Sequence, residues 1–188
     1  MTDTNDRIAE LEREIYEKKQ QLAELYREAD DEPVEDHELV DSDGETVHLS
    51  EVFDGRDDLI VIHNMGKGCS YCTTWADGFQ GVLDHLEDRA RFVVVSPDDP
   101  ETQREFAESR GWTFDMLSDQ TGEFTEAMGY TTDEGYWPGF SAFRRDDEGD
   151  IYRTGDREFG PGDDFCSLWH FFDLLADGAD GWQPKYTY

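Results

Sequence analysis

Lysine is scarce in this chain: 4 of 188 residues, at positions 18, 19, 67 and 185. All basic residues together number 16 against 47 acidic ones, and the formal net charge is −31. No basic patch is available to meet phosphates, which argues against nucleic-acid binding. The acids occur in nearly every segment, the pattern of a solvated surface rather than of an acidic docking site. Such a charge repels itself at low salt. At molar salt, with a Debye length of about 3 Å, the repulsion is screened. Long apolar runs are missing too, and nothing approaches the roughly 20 residues that a membrane span needs. Met1 to Asp6 carry neither the basic stretch nor the apolar core of a secretory leader, so a soluble cytoplasmic protein is expected.

Cysteine is also rare, but its placement is informative. Three cysteines cannot build a disulfide framework. Two of them form Cys69-Ser70-Tyr71-Cys72, after the apolar run Leu59-Ile60-Val61-Ile62 and directly before a helical pattern. A cysteine where a strand turns into a helix meets unpaired backbone N–H groups and the positive end of the helix dipole, and both favour thiolate. Thiolate is the form that attacks a disulfide. Lys67, two residues before Cys69, would favour the thiolate further if its ammonium stood beside the sulfur. The alternative is a flexible, solvated loop lysine. Zinc wants four ligands, and neither a second Cys-x-x-Cys nor a His-x-x-x-His exists here. Covalent haem attachment needs histidine where Thr73 stands. No metal and no cofactor is expected. Cys166 follows Asp163 and Asp164, which disfavour a thiolate. It reads as a partly buried free thiol, with a second resolving cysteine as the alternative.

Around this pair the chain divides into a helix with its linker (1–33) and a main domain (34–188). Residues 4–29 predict one helix, with Ile8, Leu11, Ile15, Leu22 and Leu25 on a heptad seam spoiled only at Lys18. That seam is a possible homodimer contact; packing on the chain's own domain is the alternative. Asp30-Asp31-Glu32-Pro33 ends the helix as a polar linker. Strands are expected at 45–49, 59–64 and 92–95, a strand-like segment at 112–117, and a hairpin pairing 140–144 with 151–153. Ser50 is expected to cap a helical turn over 51–53. Helices are expected over 70–88, from Asp99 to Arg110, over 119–128, and along a final face of Phe165, Leu168, Trp169, Phe172 and Leu175. Gly78 and Gly81 fall inside the 70–88 helix, each costing about 1 kcal/mol relative to alanine, so a close backbone approach is expected there. Alternating strand and helix, then a hairpin and a closing helix, predicts an α/β mixed sheet with helices on both faces.

This order and motif together resemble the thioredoxin fold. Gly44 to Arg56 looks like the opening segment of its peroxiredoxin-related branch, the alkyl hydroperoxide reductase and thiol-specific antioxidant group. Cys69-Ser70-Tyr71-Cys72-Thr73-Thr74-Trp75-Ala76-Asp77-Gly78-Phe79 and Pro138-Gly139-Phe140-Ser141-Ala142-Phe143-Arg144 resemble an uncharacterised thioredoxin-like family of bacterial and archaeal proteins. Lysine poverty with acid excess resembles proteins of salt-in halophiles. The resemblance implies Cys69 as attacking thiol and Cys72 as resolving thiol. It places His63 at the offset where thioredoxins keep a buried carboxylate, and an imidazole there could take a proton from the resolving thiol. It places Pro138 of Trp137-Pro138 at the position of a cis-proline that faces the cysteines and presents backbone to substrate. Trp75, Tyr136 and Trp137 would then line a substrate groove, or else belong to the core. The implied function is a thiol–disulfide oxidoreductase acting on a disulfide-containing protein or small thiol, with an unknown electron donor. Two rivals stay open. A thiol peroxidase would carry threonine three residues and proline seven residues before its cysteine; the chain has Gly66 and Ile62 before Cys69, and Cys69 and Met65 before Cys72. A dimeric interaction module would use the first helix, with the cysteines incidental.

Overall fold

The computed structural model describes residues 3–188, and eight of its strands form one mixed sheet with helices on both faces. In chain order the first half comprises α1 (Thr4–Glu28), β1 (Glu32–Val34), β2 (Glu38–Val40), β3 (Thr46–His48), α2 (Leu49–Val52), β4 (Asp58–His63), α3 (Ser70–Gln80), α4 (Leu83–Arg89) and β5 (Arg91–Ser96). The second half comprises α5 (Pro100–Arg110), β6 (Asp115–Ser118), α6 (Glu123–Ala127), β7 (Thr131–Thr132), β8 (Gly135–Tyr136), β9 (Gly139–Arg145), β10 (Ile151–Glu158) and α7 (Ser167–Asp173). The sheet order is β1-β10-β9-β4-β5-β6-β2-β3, and β7 pairs with β8 as a separate small hairpin.

The two most continuous apolar runs become the central strands β4 and β5, which are parallel, with Ile60 opposite Phe92 and His63 opposite Val95. Strands covered on both faces have no polar side to show. Alternation along them divides the core. Leu59, Val61, Val93 and Val95 point to one cluster with Phe53, Phe124 and Phe143. Ile62, Phe92 and Val94 point to the other, with Trp75 and Phe79 of α3, Leu83 of α4 and Trp169 of α7. Antiparallel β9 closes the other side of β4, pairing Gly139 with His63. The mixed sheet and the hairpin thus follow the expectation.

Several local readings change. The polar linker does not stay outside the domain: Glu32, Pro33 and Val34 pair with Arg153, Tyr152 and Ile151 as an edge strand, a place where proline is tolerated. The helix expected over 70–88 breaks at Gly81 and Val82 into α3 and α4. No backbone crowds its glycines, since a Cβ on Gly78 would meet nothing within 4 Å and one on Gly81 only the Gly78 carbonyl at 3.4 Å. Ser50 does not cap α2; its hydroxyl donates to Asp36, while the His48 N–H that precedes the helix donates to Glu51. The closing helix is short, and Leu175 lies beyond it, 59% exposed.

Helix α1 buries none of its residues. Ile8, Leu11 and Ile15 are 50–55% exposed, so the seam is unpartnered within the chain. The helix meets the domain along its second half, where Lys19 pairs with Asp164 and the Arg157 guanidinium lies 5.1 Å over the Tyr26 ring. No described helix is long and apolar enough to cross a membrane.

Candidate active site: a dithiol at a helix start

β4 delivers the chain to the C-terminal edge of the parallel strands, and a short loop turns it into α3. The Asn64 N–H donates to the Val95 carbonyl (2.8 Å), and the Asn64 side chain accepts from the Gly66 N–H (2.8 Å). The Lys67 N–H donates to an Asp98 carboxylate oxygen (2.6 Å), which ties the loop to the segment after β5. Gly66 has φ +93°, and a Cβ there would stand 2.9 Å from the Asp98 oxygen. The positive φ favours glycine, and a Cβ would also displace the Asp98 carboxylate. The Cys69 N–H then closes the turn on the Gly66 carbonyl (3.1 Å).

Cys69 is the N-cap of α3. Its sulfur accepts the Cys72 N–H at 3.0 Å, taking the place of the hydroxyl or carboxylate oxygen usual at this position. Cys69 is half-buried and Cys72 is 3% exposed; both are free thiols. The Cys72 thiol, hydrogen-bonded to the Cys69 sulfur, lowers the Cys69 pKa to about 7 against the opposing effect of burial, and the backbone N–H groups of Cys72 and Tyr71 lower it further. The same sulfur–sulfur hydrogen bond, then burial, then the charge on Cys69 push the Cys72 thiol upward. The pair therefore divides into a thiol that ionises near neutral pH and a protonated thiol behind it.

The other expected site residues are placed differently. Lys67 is exposed, and its tie to the loop is its backbone N–H, not its ammonium. It is not among the groups that lower Cys69. His63 does not lie beneath Cys72. Its alternation along β4 turns it with Leu59 and Val61, away from the face that carries α3. Its ring stacks on Tyr130 (4.0 Å between centroids), and Nε2 meets the Ser141 hydroxyl at 3.0 Å. Burial, and then the charge of Arg153, depress its pKa to about 3, so it stays neutral. The base role expected for it has no geometric support. Trp75 belongs to the core rather than to a groove: it is 3% exposed, and its indole N–H donates to Asp163 at 2.9 Å. Pro138 is buried, and the peptide bond before it is trans like every other described here. Its carbonyl accepts the Phe159 N–H at 2.8 Å, so that backbone is engaged within the fold instead of being presented outward. Trp137 is 42% exposed. Cys166 is buried, with a thiol pushed up chiefly by burial.

Two contributors were not anticipated. Asp98 anchors the loop before Cys69, and its position just past β5 at the same sheet edge was a signal that could have drawn attention to it. Tyr186, from the C-terminal tail, lies near enough to the dithiol that Cys69 and Cys72 add to the effect of burial in raising its hydroxyl pKa. Nothing in the sequence marks that approach. Asp146, Glu148 and Asp150 lie close enough together to share a cation. They sit on the β9–β10 turn, at the opposite end of β9 from His63, and Asp146 there accepts the N–H groups of Glu148 and Asp150.

Known proteins agree with this architecture. Peroxidoxin BcpB from Mycobacterium tuberculosis superposes with a TM-score of 0.57 at 23% identity, over 68% of this chain and 84% of that one. Peroxiredoxin Q from Xanthomonas campestris gives 0.56 at 17% identity, over 65% and 80%. Reduced Prx3 from Vibrio vulnificus, in complex with hydrogen peroxide, gives 0.57 at 18% identity, over 72% and 90%. At these identities the superpositions show a shared thioredoxin-like fold alone. No curated protein is significantly similar in sequence. Residues 3–187 match one family model, and the chain belongs to that family, described as bacterial protein of unknown function (DUF899).

Proposed function

We propose that the chain is a thiol–disulfide oxidoreductase. The Cys69 thiolate attacks one sulfur of a substrate disulfide; the other sulfur leaves as a thiolate and takes up a proton. Cys72, losing its proton, then attacks the Cys69 sulfur of the mixed disulfide. The second substrate thiol departs, and the pair is left as a disulfide. An external dithiol reductant must return two electrons and two protons for another turnover. The observation that carries this reading is the half-buried Cys69, whose sulfur accepts the Cys72 N–H at 3.0 Å, with a protonated thiol directly behind it. Trp137, exposed just before β9, is assigned as a substrate contact.

The test is a disulfide-reduction assay with a small dithiol as reductant. Cys69→Ser should remove activity, and Cys72→Ser should accumulate a mixed disulfide with the substrate, visible by mass. If Cys72→Ser turns over normally and traps nothing, the dithiol mechanism fails. The second reading, a thiol peroxidase, draws on the peroxiredoxin fold of the neighbours, one of which was solved with hydrogen peroxide. It predicts peroxide oxidation of Cys69 far faster than of a free thiol. Gly66 and Ile62, where a peroxiredoxin would carry threonine and proline, weigh against it.

A further inference from the structure

The sheet face that carries α3 is not fully covered. Between α3 and α4 on one side and the C-terminal segment on the other lies an open cleft of about 840 Å3. Small-molecule sites span about 300–1,000 Å3. Ile60 and Ile62 form its floor, Val82 and Leu86 one wall, Phe165 and Trp182 the other. Val82 and Phe165 are 45% and 37% exposed, so apolar surface is left open to water inside it. Neither Cys69 nor Cys72 lines the cleft, which separates it from the dithiol.

Gly78 lies in its wall, within α3. A glycine in a helix interior is unfavourable, and this one has no conformational excuse: its φ is not positive, and a Cβ would meet nothing within 4 Å. What the missing side chain leaves is room in the cleft. The charged groups in the lining are Asp77, Asp164 and Lys185. Both acids are taken, Asp77 by Arg110 and Asp164 by Lys19. The Lys185 ammonium has no ion-pair partner among the described residues. With both acids already paired, Lys185 is the charge in the lining left to meet an anion from outside.

We propose that this cleft binds a fatty carboxylate, with the hydrocarbon in the trough beside Gly78 and the carboxylate at the Lys185 ammonium. The test is calorimetric titration of the full chain with laurate and with dodecanol, in salt high enough to screen the net charge. Laurate should bind. Gly78→Leu, which fills the trough and favours the helix, should weaken laurate at least tenfold, and Leu86→Trp should do the same from α4, further along that wall. Lys185→Met should weaken laurate about threefold, the scale of one exposed ion pair, and leave dodecanol unchanged. A second readout uses Cys166, which also lines the cleft. In the Cys69→Ser/Cys72→Ser double variant, laurate should slow maleimide labelling of Cys166. Absence of laurate binding, or binding unaffected by both filling variants, overturns the site. Equal effects of Lys185→Met on acid and alcohol overturn the carboxylate assignment. Since the double variant carries no dithiol, failure here is independent of the redox reading.

Discussion

Cys69 and Cys166 hold the same local position and have opposite chemistry. Each is the N-cap of a helix, with similar extended backbone angles, φ −103° and ψ 104° against φ −129° and ψ 109°. At α3 the sulfur turns in to accept a backbone N–H, a second thiol donates to it, and the site is partly open to water; the thiol pKa falls to about 7. At α7 the side chain makes no cap hydrogen bond, and the cysteine's own N–H is taken by Asp163 at 3.0 Å. Burial drives that thiol the other way; the Leu168 N–H draws it down, the Asp163 charge pushes it up, and burial wins. A helix N-terminus is therefore not enough to activate a cysteine. The difference lies in the second thiol that donates to Cys69 and in the burial that outweighs the helix start at Cys166.

The comparison breaks most visibly in activity. Cys69→Ser should lower disulfide reduction by about a thousandfold or more, while Cys166→Ser should leave it within about twofold. Equal losses would show that the two helix starts do not differ in function.

Burial is the influence that the comparison assigns to Cys166, and His63 measures it on a second group. Its folded pKa, about 3, lies below the ordinary 6.5. Below pH 6.5 the unfolded chain takes up a proton that the folded chain refuses. The stability is whole above pH 6.5 and falls as pH drops toward 3, at about 1.4 kcal/mol per pH unit. Denaturant unfolding at pH 6.5 and pH 5.0 should differ by about 2 kcal/mol more for the parent than for His63→Asn. Parallel pH profiles would mean that the imidazole is solvated.

At Cys69 the contributions of the partner thiol and the backbone can be separated. In the parent, iodoacetamide should modify Cys69 with a midpoint near pH 7. Cys72→Ala keeps the backbone N–H and removes the thiol donor, so the midpoint should rise by about one unit, a tenfold fall in thiolate near neutrality. An unmoved midpoint would assign the activation to the helix start alone. The smallest effect is expected at Cys166. Asp163→Asn keeps an acceptor for the Cys166 N–H and removes the charge, and labelling at pH 8 should quicken about twofold, since burial is the larger influence.

Much of the fold was legible because it rests on periodicity. The runs Leu59–Ile62 and Phe92–Val95 mark doubly covered strands, the hairpin turn is written in Asp146 to Gly149, and Asp99 with Pro100 and Gly111 bracket α5 as its caps. Less legible were elements whose formation depends on a distant partner. Glu32-Pro33-Val34 reads as linker and becomes a strand only because β10 offers an edge. In the site, the dithiol was legible because its spacing and its strand-to-helix setting are local. His63 was not: the residue type permits a base, but its position on β4 turns it to the face away from α3.

The order of residues alone determined that two sulfurs would meet at the start of a helix, that this helix would follow a buried strand, and that the surface would be heavily acidic. These follow from spacing, periodicity and composition, which need no knowledge of the rest of the chain. Tertiary structure alone decided that burial pushes the Cys166 thiol up, that His63 stays neutral, that Trp75 is core, and that an apolar cleft opens beside Gly78. Each of these depends on burial and on partners far away in sequence, such as Asp98, Asp163 and Trp182, because ionisation and packing respond to what surrounds a side chain and not to what precedes it.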